Sequence, residues 1–267
     1  MSRIEKRFER IRAEKRKALV AFISAGDPDL ESTRRHFEVI ENNGADIIEL
    51  GVPFSDPLAD GPVIQAASQR ALKGGTTLRK IVGLVAEIRK TSELPIVLMS
   101  SFNPVFVYGL QEFVDDAVAA GVDGVILPDL PPEEAEEFRA LADAKGLDMI
   151  FLLAPTSTPE RVAMVAERSR GFIYYVSLTG TTGVKSQLSE ALAGKVAAIR
   201  QVAQQPVLVG FGISGPEQAR EAAAVSDGVI IGSAIVRIIE QNPDAGEREE
   251  KVGGFIADVK KALDGAG

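Results

Sequence analysis

The sequence has no cysteine and a single histidine, His36. Without thiols there can be no thiol nucleophile, iron–sulfur ligation or cysteine zinc site, and redox chemistry gives no reading of compartment. One histidine takes most of the weight from Ser-His-Asp triads and multi-histidine metal sites. No apolar run reaches the roughly 18 residues of a membrane span. The charged stretch 1–17 lacks the apolar core of a secretory signal, so a cytoplasmic protein is expected. Positive charge is also in deficit: 30 Lys and Arg against 38 Asp and Glu leave a net charge of −8. With no basic block after residue 17, nucleic acid is not an expected partner.

What is present is a repeated unit. A small-residue turn, often followed by Asp, leads into a short apolar run. Examples are Gly44-Ala45-Asp46-Ile47-Ile48-Glu49-Leu50, Gly121-Val122-Asp123-Gly124-Val125-Ile126-Leu127, Gly146-Leu147-Asp148-Met149-Ile150-Phe151-Leu152 and Ser226-Asp227-Gly228-Val229-Ile230-Ile231. Ala18–Ile23, Leu94–Met99, Phe172–Val176 and Pro206–Val209 are similar runs without the Asp. All eight are apolar on both faces, as buried parallel strands are. Helical spacing fills the gaps, as in Leu78, Ile81, Val82, Val85 and Ile88. Thr158-Pro159 and Ser214 before Pro216 read as helix starts, and Gly44, Gly121, Gly146 and Gly171 as helix stops. Eight alternations predict a single (β/α)8 TIM barrel over residues 1–267; a doubly wound sheet usually has fewer strands. An extra N-terminal helix at Glu5–Lys15 carries Ile4, Phe8 and Ile11 on one stripe, suited to covering the barrel floor. The alternative, a basic membrane-surface helix, has only this narrow apolar face to offer.

Barrel chemistry sits at the C-terminal strand ends and the loops after them. Glu49 stands in an otherwise apolar strand, where burial should raise its pKa and fit it for proton transfer near neutral pH. The alternative is a structural carboxylate bonded to backbone amides. Asp60 follows in a Pro/Gly-rich loop, where it could equally cap the helix opened by Gly61-Pro62. Asp56 in the same loop reads as exposed. Glycines after strands 6, 7 and 8 (Gly183, Gly212 and Gly232-Ser233), with a short helix from Ser233, suggest an anion cradle of the barrel phosphate type. No lysine ends a strand, which disfavours Schiff-base aldolases. His36 lies mid-helix as a surface or packing residue. The sequence therefore points to a phosphorylated small molecule handled by carboxylates, with no metal.

Ile48-Glu49-Leu50-Gly51-Val52-Pro53-Phe54-Ser55-Asp56-Pro57-Leu58-Ala59-Asp60-Gly61-Pro62 resembles the signature of the tryptophan synthase alpha subunit family. Ala25-Gly26-Asp27-Pro28, Thr179-Gly180-Thr181-Thr182-Gly183, Gly210-Phe211-Gly212-Ile213-Ser214 and Gly232-Ser233-Ala234-Ile235-Val236 extend the resemblance, in order, over essentially the whole chain. It implies cleavage of indole-3-glycerol phosphate to indole and glyceraldehyde 3-phosphate, with Glu49 and Asp60 as the acid–base pair. It further implies that Thr182 lies in a mobile loop closing toward Asp60. Gly183, Gly212, Gly232 and Ser233 match phosphate contacts, and Phe22, Tyr174 and Phe211 match pocket walls. Pro53, Asp56, Pro57, Asn103 and Pro104 match the face toward a beta subunit, which carries pyridoxal phosphate in an α2β2 tetramer. The alpha chain itself is expected to need no cofactor. One departure is Ser101, where the family usually has Tyr two residues before Asn103. A related synthase would need a strand-end lysine, a non-catalytic partner-activating barrel could do without Glu49 or Asp60, and a free-standing indole-releasing lyase remains an alternative.

Overall fold

A computed structural model describes residues 1–57, 60–177, 185–210 and 212–265, with no side-chain detail for residues 185–189. The strands are β1 (Ala18–Ser24), β2 (Ile47–Gly51), β3 (Ile96–Met99), β4 (Gly124–Ile126), β5 (Asp148–Ile150), β6 (Leu152–Leu153), β7 (Ile173–Val176), β8 (Val207–Gly210) and β9 (Gly228–Ile231). Around them lie α1 (Arg3–Ala13), α2 (Leu30–Asn42), α3 (Pro62–Lys73), α4 (Leu78–Ile88), α5 (Phe102–Tyr108) and α6 (Leu110–Ala120). The remaining helices are α7 (Glu136–Lys145), α8 (Pro159–Arg168), α9 (Lys185–Arg200), α10 (Pro216–Ala223), α11 (Ser233–Gln241) and α12 (Ala245–Asp264).

All strand pairs are parallel, in the order β5-β4-β3-β2-β1-β9-β8-β7-β6. Only Phe151 separates β5 from β6, and its carbonyl accepts the Tyr174 N–H at 3.2 Å. The two short strands are thus halves of one bent strand, and the eight expected runs form the barrel wall. The closing seam joins β1 to β9, with Ala18 opposite Gly228 and Ala21 opposite Ile231. A Cβ on Gly228 would lie 2.4 Å from the Ala18 carbonyl oxygen, so the seam admits only glycine there.

Strand alternation sorts the core into two shells. Ala18, Val20, Ile47, Val97, Ile126, Ile150, Phe172, Leu208 and Ile230 form the inner cluster, while Leu19, Ala21, Ile23, Ile48 and Leu50 pack outward under the helices. Ile4, Phe8 and Ile11 of α1 join the inner cluster and plug the floor. Each such fully buried side chain contributes about 1.5–3 kcal/mol of transfer free energy. The apolar stripe of α1 is therefore consumed inside the barrel. The helix starts earlier than its sequence pattern implied because Ser2 and Glu5 form a reciprocal capping box, and it stops at Ala13. At α10 the cap falls on Gly215 rather than Ser214, whose N–H and hydroxyl both bond Gln218.

The recurring Asp acquires a physical role. Asp46, Asp123 and Asp227 each accept a backbone N–H from the neighbouring strand, from Leu19 at 3.0 Å, Ile96 at 2.8 Å and Val207 at 2.8 Å. Each aspartate thus pins strand register at the floor, where a ladder would otherwise leave amides unpaired. Asp148 instead accepts the Ser2 hydroxyl at 2.8 Å and ties α1 to β5.

His36 is fully buried, and its Nε2 accepts from Arg248 Nε at 2.9 Å across the α2–α12 contact. Burial, then the charges of Arg248 and Arg35, lower its pKa to about 4. The neutral ring is required, so the unfolded chain binds a proton that the folded chain refuses between pH 6.5 and about 4. Stability should fall as pH drops through that window. His36→Gln keeps an acceptor for Arg248 and should flatten that part of the Tm-against-pH curve; an unchanged slope would contradict the assignment.

Candidate active site

Alternation along β2 turns Glu49, two residues beyond Ile47, into the mouth of the barrel. It is 1% exposed, and neither carboxylate oxygen has a hydrogen-bond partner among the described residues. Burial first, then the nearby charge of Asp60, pushes its pKa up to about 8. A structural carboxylate would be bonded to backbone amides, and among the described residues this one is bonded to none. Asp60 is half-buried, and burial raises its pKa as well. It is not a helix cap: the N-cap of α3 is Gly61, with no side-chain cap bond, and the Asp60 carbonyl accepts Gln65 Nε2 at 2.9 Å.

Both carboxylates line a cavity of about 290 Å³. Phe22, Ile64, Met99 and Ile230 supply apolar walls, Tyr174 lies beside Glu49, and Gly212, Gly232 and Ser233 bring in the ends of β8 and β9. Two glycines make room for the rings. A Cβ on Gly51 would meet Phe22 Cζ at 2.4 Å, and one on Gly210 would meet the Tyr174 hydroxyl at 2.6 Å. Gly212 has φ +82°, a conformation few side chains tolerate. Ser233 opens α11, whose N-terminal amides and dipole suit an anion.

A second cavity of about 300 Å³ shares Phe22, Asp60, Ile64 and Met99 with the first and continues past Asp56, Pro57 and Ser101. Asp56 is exposed and accepts the Ser55 hydroxyl at 2.6 Å, whereas Pro53 is buried. Asn103 and Pro104, expected in a turn, belong to the first turn of α5, which Ser101 precedes as N-cap. The Asp129 carboxylate holds that turn by accepting the Phe102 N–H at 2.8 Å. Thr182, Gly183 and Phe211 lie outside the described residues. Ile64, Met99, Ile230 and Arg237 also line the cavity, and of these only Met99 has a sequence signal, lying two residues beyond the inward Val97.

A parallel barrel with a buried Glu49 and a half-buried Asp60 at its C-terminal mouth, and glycines after its last strands, has the layout of a (β/α)8-barrel enzyme. A family model described as tryptophan synthase alpha chain matches residues 8–263. The chain belongs to that family and cleaves indole-3-glycerol phosphate in tryptophan biosynthesis. The tryptophan synthase alpha chain of Geotalea uraniireducens is 54% identical over 267 residues, covering 100% of both chains. That of Geobacter sulfurreducens is 53% identical over 263 residues, covering 98% of this chain and 99% of its own. The crystal structure of tryptophan synthase subunit alpha from Legionella pneumophila str. Paris superposes with a TM-score of 0.93 at 37% identity, covering 99% of each chain. A chain of tryptophan synthase from M. tuberculosis in an aminoacrylate-bound form gives 0.87 at 35%, covering 98% of this chain and 100% of its own.

Proposed function

We propose that Glu49 and Asp60 carry the cleavage of indole-3-glycerol phosphate, within one domain over residues 1–267. The observation that supports this most is Glu49 itself, a fully buried carboxyl with no partner on either oxygen among the described residues, facing a cavity that holds a second carboxylate. Its raised pKa keeps it protonated at neutral pH, ready to protonate indole C3. That proton converts the ring to an indolenine cation, which serves as the electron sink. The glycerol hydroxyl adjacent to the ring then gives its proton to the Glu49 carboxylate. A carbonyl forms, the carbon–carbon bond breaks, and its electron pair restores the indole ring. One proton is delivered and one is recovered, so indole and glyceraldehyde 3-phosphate leave with Glu49 reset. Asp60, ionised, accepts from the indole N–H and stabilises the positive charge that develops on the ring. Gly212, Gly232 and Ser233 hold the phosphate, and Phe22 and Tyr174 bound the ring.

The partner is a beta subunit in an α2β2 tetramer. Pyridoxal phosphate resides there, and no cofactor is needed in this chain. Pro53, Asp56, Pro57, Asn103 and Pro104 form the docking face. Phe106 and Val107, 62% and 77% exposed on α5, extend that face with apolar surface of the kind interfaces bury. The cavity that runs from Asp60 past Asp56 and Pro57 gives released indole a course toward it. None of the helices among the described residues is long and apolar enough to cross a membrane, and a cytoplasmic location fits the reading. The direct test is indole release from indole-3-glycerol phosphate by the pure chain, alone and with a beta subunit. Slow release that rises sharply on mixing is expected. Fast release indifferent to the partner would indicate a free-standing lyase, and no indole under either condition would overturn the assignment.

A further inference from the structure

We infer that Arg237 is a specificity-determining residue that binds the substrate's phosphate dianion and selects phosphorylated over neutral substrates. The inference rests on the cleavage reading above and adds a side-chain contact to a cradle otherwise built of backbone amides. Of the described residues that line the cavity, Arg237 is the only one with a positive charge. It follows Ser233 by four positions, one turn of α11, so the two share a face. Helical side chains lean toward the helix N-terminus, which carries the guanidinium back over the first turn, where Gly232 and Ser233 sit.

Arg237 is also left unengaged. It is exposed, and no hydrogen bond or ion pair holds its guanidinium among the described residues. The natural helical partner is Glu240, three residues on. Glu240 is taken by Arg70, whose Nη1 donates to it at 2.7 Å. Arg70 is fixed in turn on the buried Asp27, donating from Nε at 2.8 Å and Nη2 at 2.9 Å. This clamp between α3 and α11 removes the carboxylate that would otherwise neutralise Arg237. A free guanidinium with five donors, beside a helix N-terminus, matches a phosphate and has nothing to offer a neutral diol.

The test uses the full chain with its beta subunit. In Arg237→Gln the KM for indole-3-glycerol phosphate should rise about tenfold or more, the effect of losing one charge-assisted contact, with the loss concentrated in KM rather than kcat. Inhibition by inorganic phosphate should weaken by a similar factor, while the affinity for indole, which carries no phosphate, stays as in the parent. Arg237→Lys should recover part of the loss, and Arg237→Glu should deepen it. An unchanged KM together with unchanged phosphate inhibition in Arg237→Gln would overturn the inference. So would an equal loss of kcat and of indole and phosphate binding, which would mean that α11 is merely disturbed. Calorimetric binding of inorganic phosphate separates this inference from the cleavage reading. Arg237-dependent phosphate binding by a chain that releases no indole would sink the cleavage reading alone. Indole release with phosphate binding indifferent to Arg237 would sink only this one.

Discussion

Glu49→Gln is expected to lower kcat/KM for indole-3-glycerol phosphate by about 10²–10⁴-fold, the usual worth of a positioned acid–base group, and to make the protein more stable. The two effects share one cause. The folded chain holds the Glu49 proton up to about pH 8, whereas the unfolded chain releases it near 4.5. Between those values the folded state binds the extra proton, so stability declines as pH rises through the window and the lost part stays lost above it. A neutral glutamine amide escapes that penalty, which is on the order of a few kcal/mol for a buried carboxyl. Thermal melts of the two proteins should coincide near pH 4.5 and separate by several degrees at pH 8, with the variant higher. In the parent enzyme, kcat/KM should fall as pH rises through about 8, where the acid is lost. Near-normal turnover by a folded Glu49→Gln variant would end the catalytic assignment. A variant both inactive and less stable would indicate a structural carboxylate.

The second large effect belongs to Asp60→Asn. The amide keeps an acceptor for an indole N–H but not the charge that opposes the developing indolenine cation. Loss of such electrostatic stabilisation lowers kcat by about 10²–10³-fold. A further consequence concerns Glu49, because the Asp60 charge helps to hold its proton. In Asp60→Asn the high-pH limb of the residual activity should move to lower pH. A rate within a few-fold of the parent, or a limb that stays near pH 8, would show that Asp60 neither meets the cation nor couples to its neighbour.

Glu49 is legible in the sequence because an ionisable residue in an apolar strand announces its own cost. The recurring aspartates are equally visible, yet their task is not. The amide that Asp46 holds lies 27 residues away on the adjacent strand, and strand pairing is not a local property. Met99 and Ile64 look like ordinary core residues until the strands curve and α3 leans over the mouth. Arg237 is the extreme case. Its freedom depends on Glu240 being held by Arg70, 170 positions earlier in the chain. His36, expected on the surface or in packing, is a packing residue, and its arginine partner comes from a helix more than two hundred residues on. Ser101 departs from the family pattern and lines the second cavity together with Asp60.

The seam between β1 and β9 bears on how the chain fares before it is complete. β1 is made early, and its second neighbour is the last strand to emerge. Throughout synthesis one side of β1 therefore presents bare amides and carbonyls in an apolar ribbon, the kind of edge that recruits strands from other chains. Glycine at 228 lets the final strand settle against Ala18 without obstruction. A methyl group there would hold the barrel ajar, and the visible consequence would be inclusion bodies and loss of soluble yield, well before any change in the chemistry at the mouth.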